Sequence, residues 1–274
     1  MEFHALLRSV FLTIAFSLGC TSCTTVRTTG PGAVGVEREQ RMLVSEQEVE
    51  QGAEQAYAQE VQEAKGAGKL NQDPRLTARV RGITERLIPV TAAFRPDAQA
   101  WKWEVNTLTT EEMNAYAMPG GKVMVYSGLV EKLQLTDAEL AAVIGHEISH
   151  ALREHTRERV SRLRAQQIAL AGLAALSGAG QGTLDLANQI ATVTLQLPHS
   201  REQESEADIM GLELMARAGY DPHAAVRVWQ KMLAVDKARA PQFLSTHPSD
   251  ANRIRQLESF VPKVMPLYQA AHQR

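Results

Sequence analysis

The stretch Gly145-His146-Glu147-Ile148-Ser149-His150 sets two imidazoles four residues apart, with a carboxylate directly after the first. On a helix this spacing stacks His146 above His150, so that one nitrogen from each ring reaches a common point. Two such nitrogens with a carboxylate beside them are typical of a zinc site, in which the carboxylate faces the water on the ion. The stretch therefore predicts a helix that carries a metal centre.

The residues around this stretch favour a helix over a chance match. Thr136-Asp137-Ala138-Glu139 has the form of a capping box, and apolar residues recur behind it at helical spacing. They predict a helix over residues 136–156, with both histidines at the edge of its apolar face and Glu147 nearer the centre. The alternative, a surface helix with two solvated histidines, gives no reason for a carboxylate on an apolar face. The pattern H-E-x-x-H on a helix is typical of zinc peptidases.

A catalytic zinc ion needs a third protein ligand, and residues 200–208 offer the best candidates. Helical phase places Glu204 and Asp208 on the side that must be buried, and the other acidic residues on the opposite side. A buried carboxylate without a partner is costly, so Glu204 is predicted to bind the metal and Asp208 to orient a ligand histidine. The acidic residues predicted to face solvent are Glu202, Glu206 and Glu213.

Further motifs accompany these residues between about positions 46 and 260. They are Asn114-Ala115-Tyr116-Ala117-Met118-Pro119-Gly120-Gly121, then Ser200-Arg201 with Glu204 and Ala207-Asp208, then Thr246-His247-Pro248 followed by Arg253. With the H-E-x-x-H stretch they resemble the zinc metallopeptidase family typified by the CaaX prenyl protease and HtpX, and especially its BepA- and LoiP-like lipoprotein proteases. The resemblance implies a mostly helical α+β fold, with a gluzincin-like core and a small β-sheet at the active-site cleft.

The resemblance also implies the chemistry. His146, His150 and Glu204 are expected to hold one Zn²⁺ per chain, and Glu147 to act as the general base on a zinc-bound water. The expected reaction is endopeptidase hydrolysis of unfolded or misassembled cell-envelope proteins. One alternative is a zinc-holding envelope lipoprotein that acts mainly as a chaperone or assembly scaffold with little turnover. Another is an inactive relative, which the intact motif disfavours.

Two further residues are placed near the reacting carbonyl by the resemblance, His247 and Asn114. His247 lies in a polar loop, and its open roles are a donor to the oxyanion, a fourth zinc ligand in a resting state, or an exposed loop histidine. Asn114 could equally be a turn residue. The chain from Asn114 to Met118 is expected to be a sheet edge to which a substrate adds as a β-strand. A turn at Gly120-Gly121 and a β-rich segment at 122–126 predict a hairpin there.

The remaining histidines match no ligand position of the family. His155 is placed by helical phase on the far side of its helix from the metal pair. His223 stands in the Asp221-Pro222 opening of the next predicted helix. The set predicted to be surface or capping residues is His155, His199, His223 and His272.

The amino-terminal residues predict export and a lipid anchor. Residues 1–19 read as a signal peptide, because their apolar run is too short to span a bilayer. Cys20 follows this run and is the predicted lipidation site, with Cys23 as a competing one; a redox or zinc-binding Cys-x-x-Cys is the rival interpretation. Residues 20–45 are predicted to tether residues 46–274, the metallopeptidase domain, to a membrane. The predicted location is the periplasmic side of a bacterial envelope, as an outer-membrane lipoprotein.

Composition and length restrict the possible partners. The 274-residue chain has a formal net charge of −2, which gives no reason to expect a nucleic-acid partner. The residues after the predicted tether suit one domain with one core. Helices are expected at residues 46–65, 73–88, 136–156, 158–176, 184–196, 200–218, 222–237 and 249–259. Residues 168–197 look like a helical hairpin that packs on the core or covers the cleft, since each arm is too short and polar to span lipid.

Overall fold

The computed structural model describes residues 24–177, 186–235, 242–248 and 251–273. The helices in these ranges are α1 (Glu46–Gly66), α2 (Pro74–Leu87), α3 (Ser127–Lys132), α4 (Asp137–Leu152), α5 (His155–Ser177), α6 (Leu186–Leu195), α7 (Arg201–Arg217), α8 (His223–Ala234), α9 (Gln242–Thr246) and α10 (Ala251–Ala271). The strands are β1 (Thr24–Val26), β2 (Gln40–Met42), β3 (Glu104–Leu108), β4 (Ala115–Met118) and β5 (Lys122–Tyr126). The mostly helical α+β fold with a small sheet is confirmed.

The main sheet has three strands in the order β3-β5-β4. β4 and β5 form an antiparallel hairpin, whose turn contains Gly120 and Gly121 at φ 76° and 83°, a region that favours glycine. β3 runs parallel to β5 on its other side. β4 is therefore one of the two edge strands of this sheet, as expected for the chain from Asn114 to Met118, and it packs against α4.

Two capped helices cross at glycines and form the centre of the fold. α4 begins with the predicted capping box of Thr136 and Glu139, and α7 begins with one formed by Ser200 and Gln203. A Cβ at Gly211 would lie only 2.8 Å from the backbone nitrogen of His146, so these helices touch backbone to backbone. The contact brings the two chemically active stretches of the sequence together.

The prediction that residues 20–45 form a tether is wrong for the part that the structure describes, residues 24–45. Val34 and Val36 are buried in the main core, and β1 pairs with β2. Glu213 Oε2 accepts hydrogen bonds from the backbone N–H groups of Ala33 and Val34 at 2.7 and 2.9 Å. We call residues 24–45 the N-terminal segment; it belongs to the folded body. The predicted signal peptide, Cys20 and Cys23 lie outside the described residues.

Two helix predictions differ from the structure. The helix predicted over 136–156 ends at Leu152, and α5 begins at His155 after Glu154, whose φ is +52°. The last helix continues to Ala271 instead of ending near residue 259.

The predicted helical hairpin corresponds to α5 and α6, and its turn, residues 178–185, lies outside the described residues. Ile190 and Val193 of α6 are buried in a cluster with Val49 and Tyr57 of α1. In the part of the chain that the structure describes, no helix combines the length and apolarity needed to cross a membrane.

Candidate active site

Four potential ligand side chains meet where α4 faces α7. His146 and His150 come from α4, Glu204 from α7 and His247 from the residue after α9. All four are buried, with 3% or less of each residue exposed. His146 Nε2 lies 3.1 Å from His150 Nε2 and 3.2 Å from His247 Nδ1, while Glu204 Oε1 lies 3.0 Å from His247 Nδ1 and 3.4 Å from His150 Nε2. The atoms form a closed cage.

This cage fits a zinc ion. Tetrahedral zinc with bonds of about 2.0–2.1 Å places its ligand atoms about 3.3 Å apart, which matches the separations above. Imidazole nitrogens and a carboxylate are the donors that zinc prefers. Ring nitrogens that face one another at hydrogen-bond distance also need a shared cation or proton between them. His146, His150 and Glu204 are thus the zinc site, and His247 completes the group of atoms able to hold the ion.

Glu147 lies beside the cage with a carboxylate oxygen that has no hydrogen-bond partner among the described residues. Its Oε1 is buried, and the nearest ionisable neighbour is His247 Nε2 at 3.5 Å. Burial raises the pKa of Glu147, and the nearby imidazoles oppose this rise only in part. A free carboxylate of raised pKa next to the metal position is suited to accept and return a proton.

Asp208 and Arg253 support the cage from behind. Asp208 Oδ1 lies 3.1 Å from His146 Nδ1, and Arg253 donates to both oxygens of Asp208 at 2.7 Å. Arg253 Nη1 also lies 2.6 Å from Glu204 Oε2, and its guanidinium covers the ring of Trp229. The predicted orienting position of Asp208 agrees with this geometry, whereas Arg253 was noted only as part of a motif and no role was predicted for it. A buried arginine that fixes two carboxylates also fixes the ligands they touch.

The pKa values of the two carboxyl groups reflect these partners. Burial alone would raise the pKa of Glu204, but His247 and Arg253 outweigh it and hold that pKa well below its usual range. Arg253 likewise outweighs the burial of Asp208 and lowers its pKa. Both groups are therefore carboxylates at neutral pH, as a zinc ligand and a hydrogen-bond acceptor must be.

His247 and Asn114 differ in how the structure places them. His247 is not an exposed loop residue: its ring is 2% exposed, with Nδ1 in the cage and Nε2 towards Glu147. Asn114 precedes β4, and its Oδ1 accepts the N–H of Ala115 at 3.0 Å. No hydrogen bond joins Asn114 to the cage in the described part of the chain, so its proximity to the reacting carbonyl stays a prediction.

The prediction that His155 and His199 are surface or capping residues is wrong. Both are buried, and their rings lie against that of His150, with centroids 4.9 and 3.9 Å away. The helix break at Glu154 turns His155 back towards the site, which a continuous helix could not do. His223 and His272 are exposed, as predicted, and His223 Nδ1 lies 2.9 Å from Asp221 Oδ1.

The prediction for the far face of α7 is wrong at two of three positions. Glu202 is exposed, but Glu206 and Glu213 are 7% and 0% exposed. The N-terminal segment covers this face and supplies their partners, Arg38 to Glu206 and the backbone of Ala33 to Glu213. The helical phase of α7 could not predict these partners, because the N-terminal segment was predicted to be a tether.

The arrangement suits hydrolysis of a peptide bond. When bound, zinc supplies a Lewis acid for the substrate carbonyl and lowers the pKa of water. Glu147 is positioned to take a proton from the attacking water and to return it to the leaving nitrogen. His247 Nε2 lies on the same side of the cage as Glu147 and is the second side-chain group available there. The buried walls exclude bulk solvent, which strengthens each of these electrostatic interactions.

Comparison with known proteins shows which family the chain resembles. The model of Peptidase family M48 matches residues 74–261. The mitochondrial metalloendopeptidase OMA1 of Schizosaccharomyces pombe is 35% identical over 214 residues, which is 77% of this chain and 60% of that protein. OMA1 of Arabidopsis thaliana is 37% identical over 158 residues, 57% of this chain and 31% of that protein. The β-barrel assembly-enhancing protease of Escherichia coli is 26% identical over 225 residues, 76% of this chain and 43% of that protein.

The chain thus spans 60% or less of the length of these relatives. Its identity to the OMA1 proteins exceeds that to the bacterial protease, whose type the motifs had suggested as especially similar. The family match covers both metal-binding helices and the hairpin beside them. The matched residues include the buried cage of His146, His150 and Glu204, and the chain therefore belongs to peptidase family M48.

Proposed function

We propose that this member of peptidase family M48 is a zinc endopeptidase that cleaves unfolded or misassembled polypeptides of a bacterial cell envelope, and that it binds them as an added strand along β4. The observation that carries the proposal is the position of β4, which is the edge strand of the sheet that packs against the zinc-binding helix α4. A strand added to this edge gains main-chain hydrogen bonds whatever its side chains are. Such binding suits extended chains of varied sequence.

The backbone pattern of the hairpin shows which groups of β4 point away from the sheet. Tyr126 N–H donates to Asn114 C=O, so these residues form a hydrogen-bonded pair of the antiparallel ladder. Because such pairs alternate with non-hydrogen-bonded ones, the N–H and C=O groups of Ala115 and Ala117 point away from β5. Asn114 Oδ1 takes the N–H of Ala115, which leaves Ala117 as the main candidate to bond a substrate strand.

Peptide substrates with single N-methyl groups test the strand mode. Alternate substrate residues point their N–H groups towards the enzyme, so methylation should raise KM at every second position near the scissile bond and not between them. A lost hydrogen bond predicts a rise of roughly tenfold. The methylated neighbours are the matched control. A KM that responds equally, or not at all, at every position would rule out strand addition.

The envelope location rests on the amino terminus and on the bacterial relative, whose name describes it as enhancing β-barrel assembly. We propose that Cys20 carries lipid and that the protein faces the periplasm from the outer membrane. Labelling with a fatty-acid analogue should modify the wild type and Cys23→Ser but not Cys20→Ser. If Cys20→Ser is labelled and Cys23→Ser is not, Cys23 carries the lipid. If none of the three proteins is labelled, the proposed lipid anchor is wrong.

A resting state with little turnover is the second candidate, and the cage favours it. His247 Nδ1 occupies the fourth corner, which an active site keeps open for water. A protein held in this state has little turnover, which is what the alternative of a zinc-containing chaperone or scaffold requires. The two functions separate in Glu147→Gln: assembly activity that survives this change while zinc stays bound supports the scaffold, and its loss supports the peptidase.

A further inference from the structure

The zinc ligand His150 is held by a hydrogen-bonded chain that the peptidase mechanism does not include. His150 Nδ1, the nitrogen remote from the cage, lies 2.8 Å from His155 Nδ1. His155 Nε2 in turn lies 3.0 Å from Glu206 Oε2. All three side chains are buried, His155 completely so.

Zinc binding allows only one proton arrangement along this chain. His150 Nε2 faces the cage and must be unprotonated to bind the ion, so the proton of His150 lies on Nδ1 and is donated to His155. His155 Nδ1 is then an acceptor, and its own proton lies on Nε2, where the Glu206 carboxylate accepts it. Every ring nitrogen therefore has one partner, and both rings are neutral.

This proton arrangement also argues against a second metal ion between His150, His155 and His199, although their nitrogens lie close enough for one. The space between the two Nδ1 atoms is a hydrogen-bond length, and the other nitrogen of His155 is bound to Glu206. A metal ion between the two Nδ1 atoms would replace the hydrogen bond that joins His150 to His155.

Two arginines hold Glu206, which is the far end of the hydrogen-bonded chain from His150. Arg153 Nη2 donates to Glu206 Oε1 at 2.8 Å. Arg38 donates from Nε and Nη2 to the two oxygens of Glu206 at 3.0 and 2.9 Å, and from its other side to Glu158 at 2.6 and 2.9 Å. Arg38 belongs to the N-terminal segment, whereas Glu206 and Glu158 belong to α7 and α5. A bidentate guanidinium fixes the carboxylate plane as well as its charge.

We propose that His155 is a positioning residue that orients the zinc ligand His150, and that Arg38 anchors it through Glu206. The N-terminal segment thereby contributes to the metal site without touching the ion. Zinc ligands need such outer partners to fix ring orientation, and Asp208 does the same for His146. The inference concerns the zinc site itself and is independent of the proposed substrate and location.

Asparagine and glutamine at position 155 separate the two hydrogen bonds. Asparagine places an oxygen near the site of Nδ1 and can accept from His150, but it does not reach Glu206. Glutamine places a nitrogen near the site of Nε2 and can donate to Glu206, but it offers His150 no acceptor in the right place. His155→Phe removes both bonds while filling the space.

The measurements are zinc affinity and the visible spectrum of the cobalt-substituted protein. We expect His155→Gln and His155→Phe to bind zinc about 10–100-fold more weakly and to shift the cobalt bands, whereas His155→Asn keeps an affinity closer to the wild type. A folded His155→Gln with wild-type affinity and spectrum would overturn the proposal, as would equal losses in Gln and Asn. If the phenylalanine variant does not fold, the other two decide. A second zinc ion per chain, lost in these variants, would show a metal site instead.

The role of Arg38 is tested against two control changes, one in α5 where it contacts the N-terminal segment and one in the segment itself. Arg38→Met should weaken zinc binding several-fold, since Glu206 loses its bidentate partner. Ser161→Ala removes the hydroxyl that accepts the N–H groups of Leu43 and Val44, and so loosens the same segment without contact to Glu206. Arg41→Met changes an exposed arginine of β2. Equal zinc affinity in Arg38→Met and the two controls would overturn the anchoring role.

Discussion

Single residues decide which carboxylate of α7 reaches the metal. Glu204 faces α4 and takes part in the cage, while Glu202, two residues earlier, is exposed and lies 3.8 Å from Arg38 at its nearest. Glu206 is not a neutral comparison, because it bonds His155. The matched pair for testing the third ligand is therefore Glu204 and Glu202.

Glu204→Ala should lower the zinc stoichiometry of the purified protein well below one per chain, because it removes one of three ligands. Glu202→Ala should keep full zinc, since its side chain is solvated. Metal analysis after dialysis against a weak chelator measures both. Full zinc in Glu204→Ala would reject this residue as the third ligand.

The two roles open to His247 predict opposite changes in activity when the residue is removed. If Nδ1 occupies the fourth position on zinc in the resting enzyme, His247→Ala opens that position and raises basal cleavage of casein. If the ring only donates to the oxyanion, the same change lowers cleavage by roughly 10²-fold. The cage geometry favours the first outcome. Cleavage is compared at matched zinc occupancy, and a fall in activity would count against the resting-state role.

At the scale of helices, the close contact of α4 with α7 brings the ligands together. Gly211→Ala would place a Cβ 2.8 Å from His146 N and should force the helices apart. We expect a loss of about 1–3 kcal/mol in the free energy of unfolding, together with weaker zinc binding. Gly82→Ala is the control, because a Cβ there meets open space in α2 and should be neutral or stabilising. Urea unfolding of the metal-free proteins measures both, and equal stabilities would refute the tight contact.

The sequence could predict the helices but not the break between them. The capping box at Thr136 and the phase of Glu204 and Asp208 depend on local pattern, and the structure has that box and buries both carboxylates. The change of direction at Glu154 depends on a left-handed backbone conformation at a residue that seldom adopts it. Without that break, His155 points away from the metal, so its role could not be predicted from phase.

At the scale of the whole molecule, the wrong prediction of a tether explains the wrong prediction for the far face of α7. Because residues 24–45 were expected to be a tether, nothing was available to cover the far face of α7. Once the N-terminal segment packs there, Glu206 and Glu213 gain partners more than 160 residues away in sequence. Contacts of such separation leave no periodic signal, whereas the ligand-bearing face of the same helix was predicted from its own residues.

This packing predicts how stability depends on pH. Burial opposes ionisation of Glu158, but hydrogen bonds from Arg38 and Gln203 outweigh it and lower its pKa to about 2. The unfolded value is about 4.3, so the stabilisation is complete above that pH and is lost as pH falls towards 2. Glu158→Gln should therefore destabilise the metal-free protein at pH 7 more than at pH 3.

Urea unfolding at the two pH values measures this difference. Glu39→Gln serves as the control, because the ion pair of Glu39 with Arg27 is exposed and such pairs contribute little. A Glu158→Gln variant that is equally destabilised at both pH values would show that Arg38 does not hold an ionised Glu158.

The most direct test of the peptidase is the change Glu147→Gln. Glutamine keeps the volume of this buried side chain and removes no zinc ligand, but it cannot accept the proton from water. We expect full zinc content, an unchanged fold and a loss of casein cleavage of roughly 10²-fold or more. Wild-type turnover by the zinc-loaded variant would contradict the assignment of Glu147 as the general base.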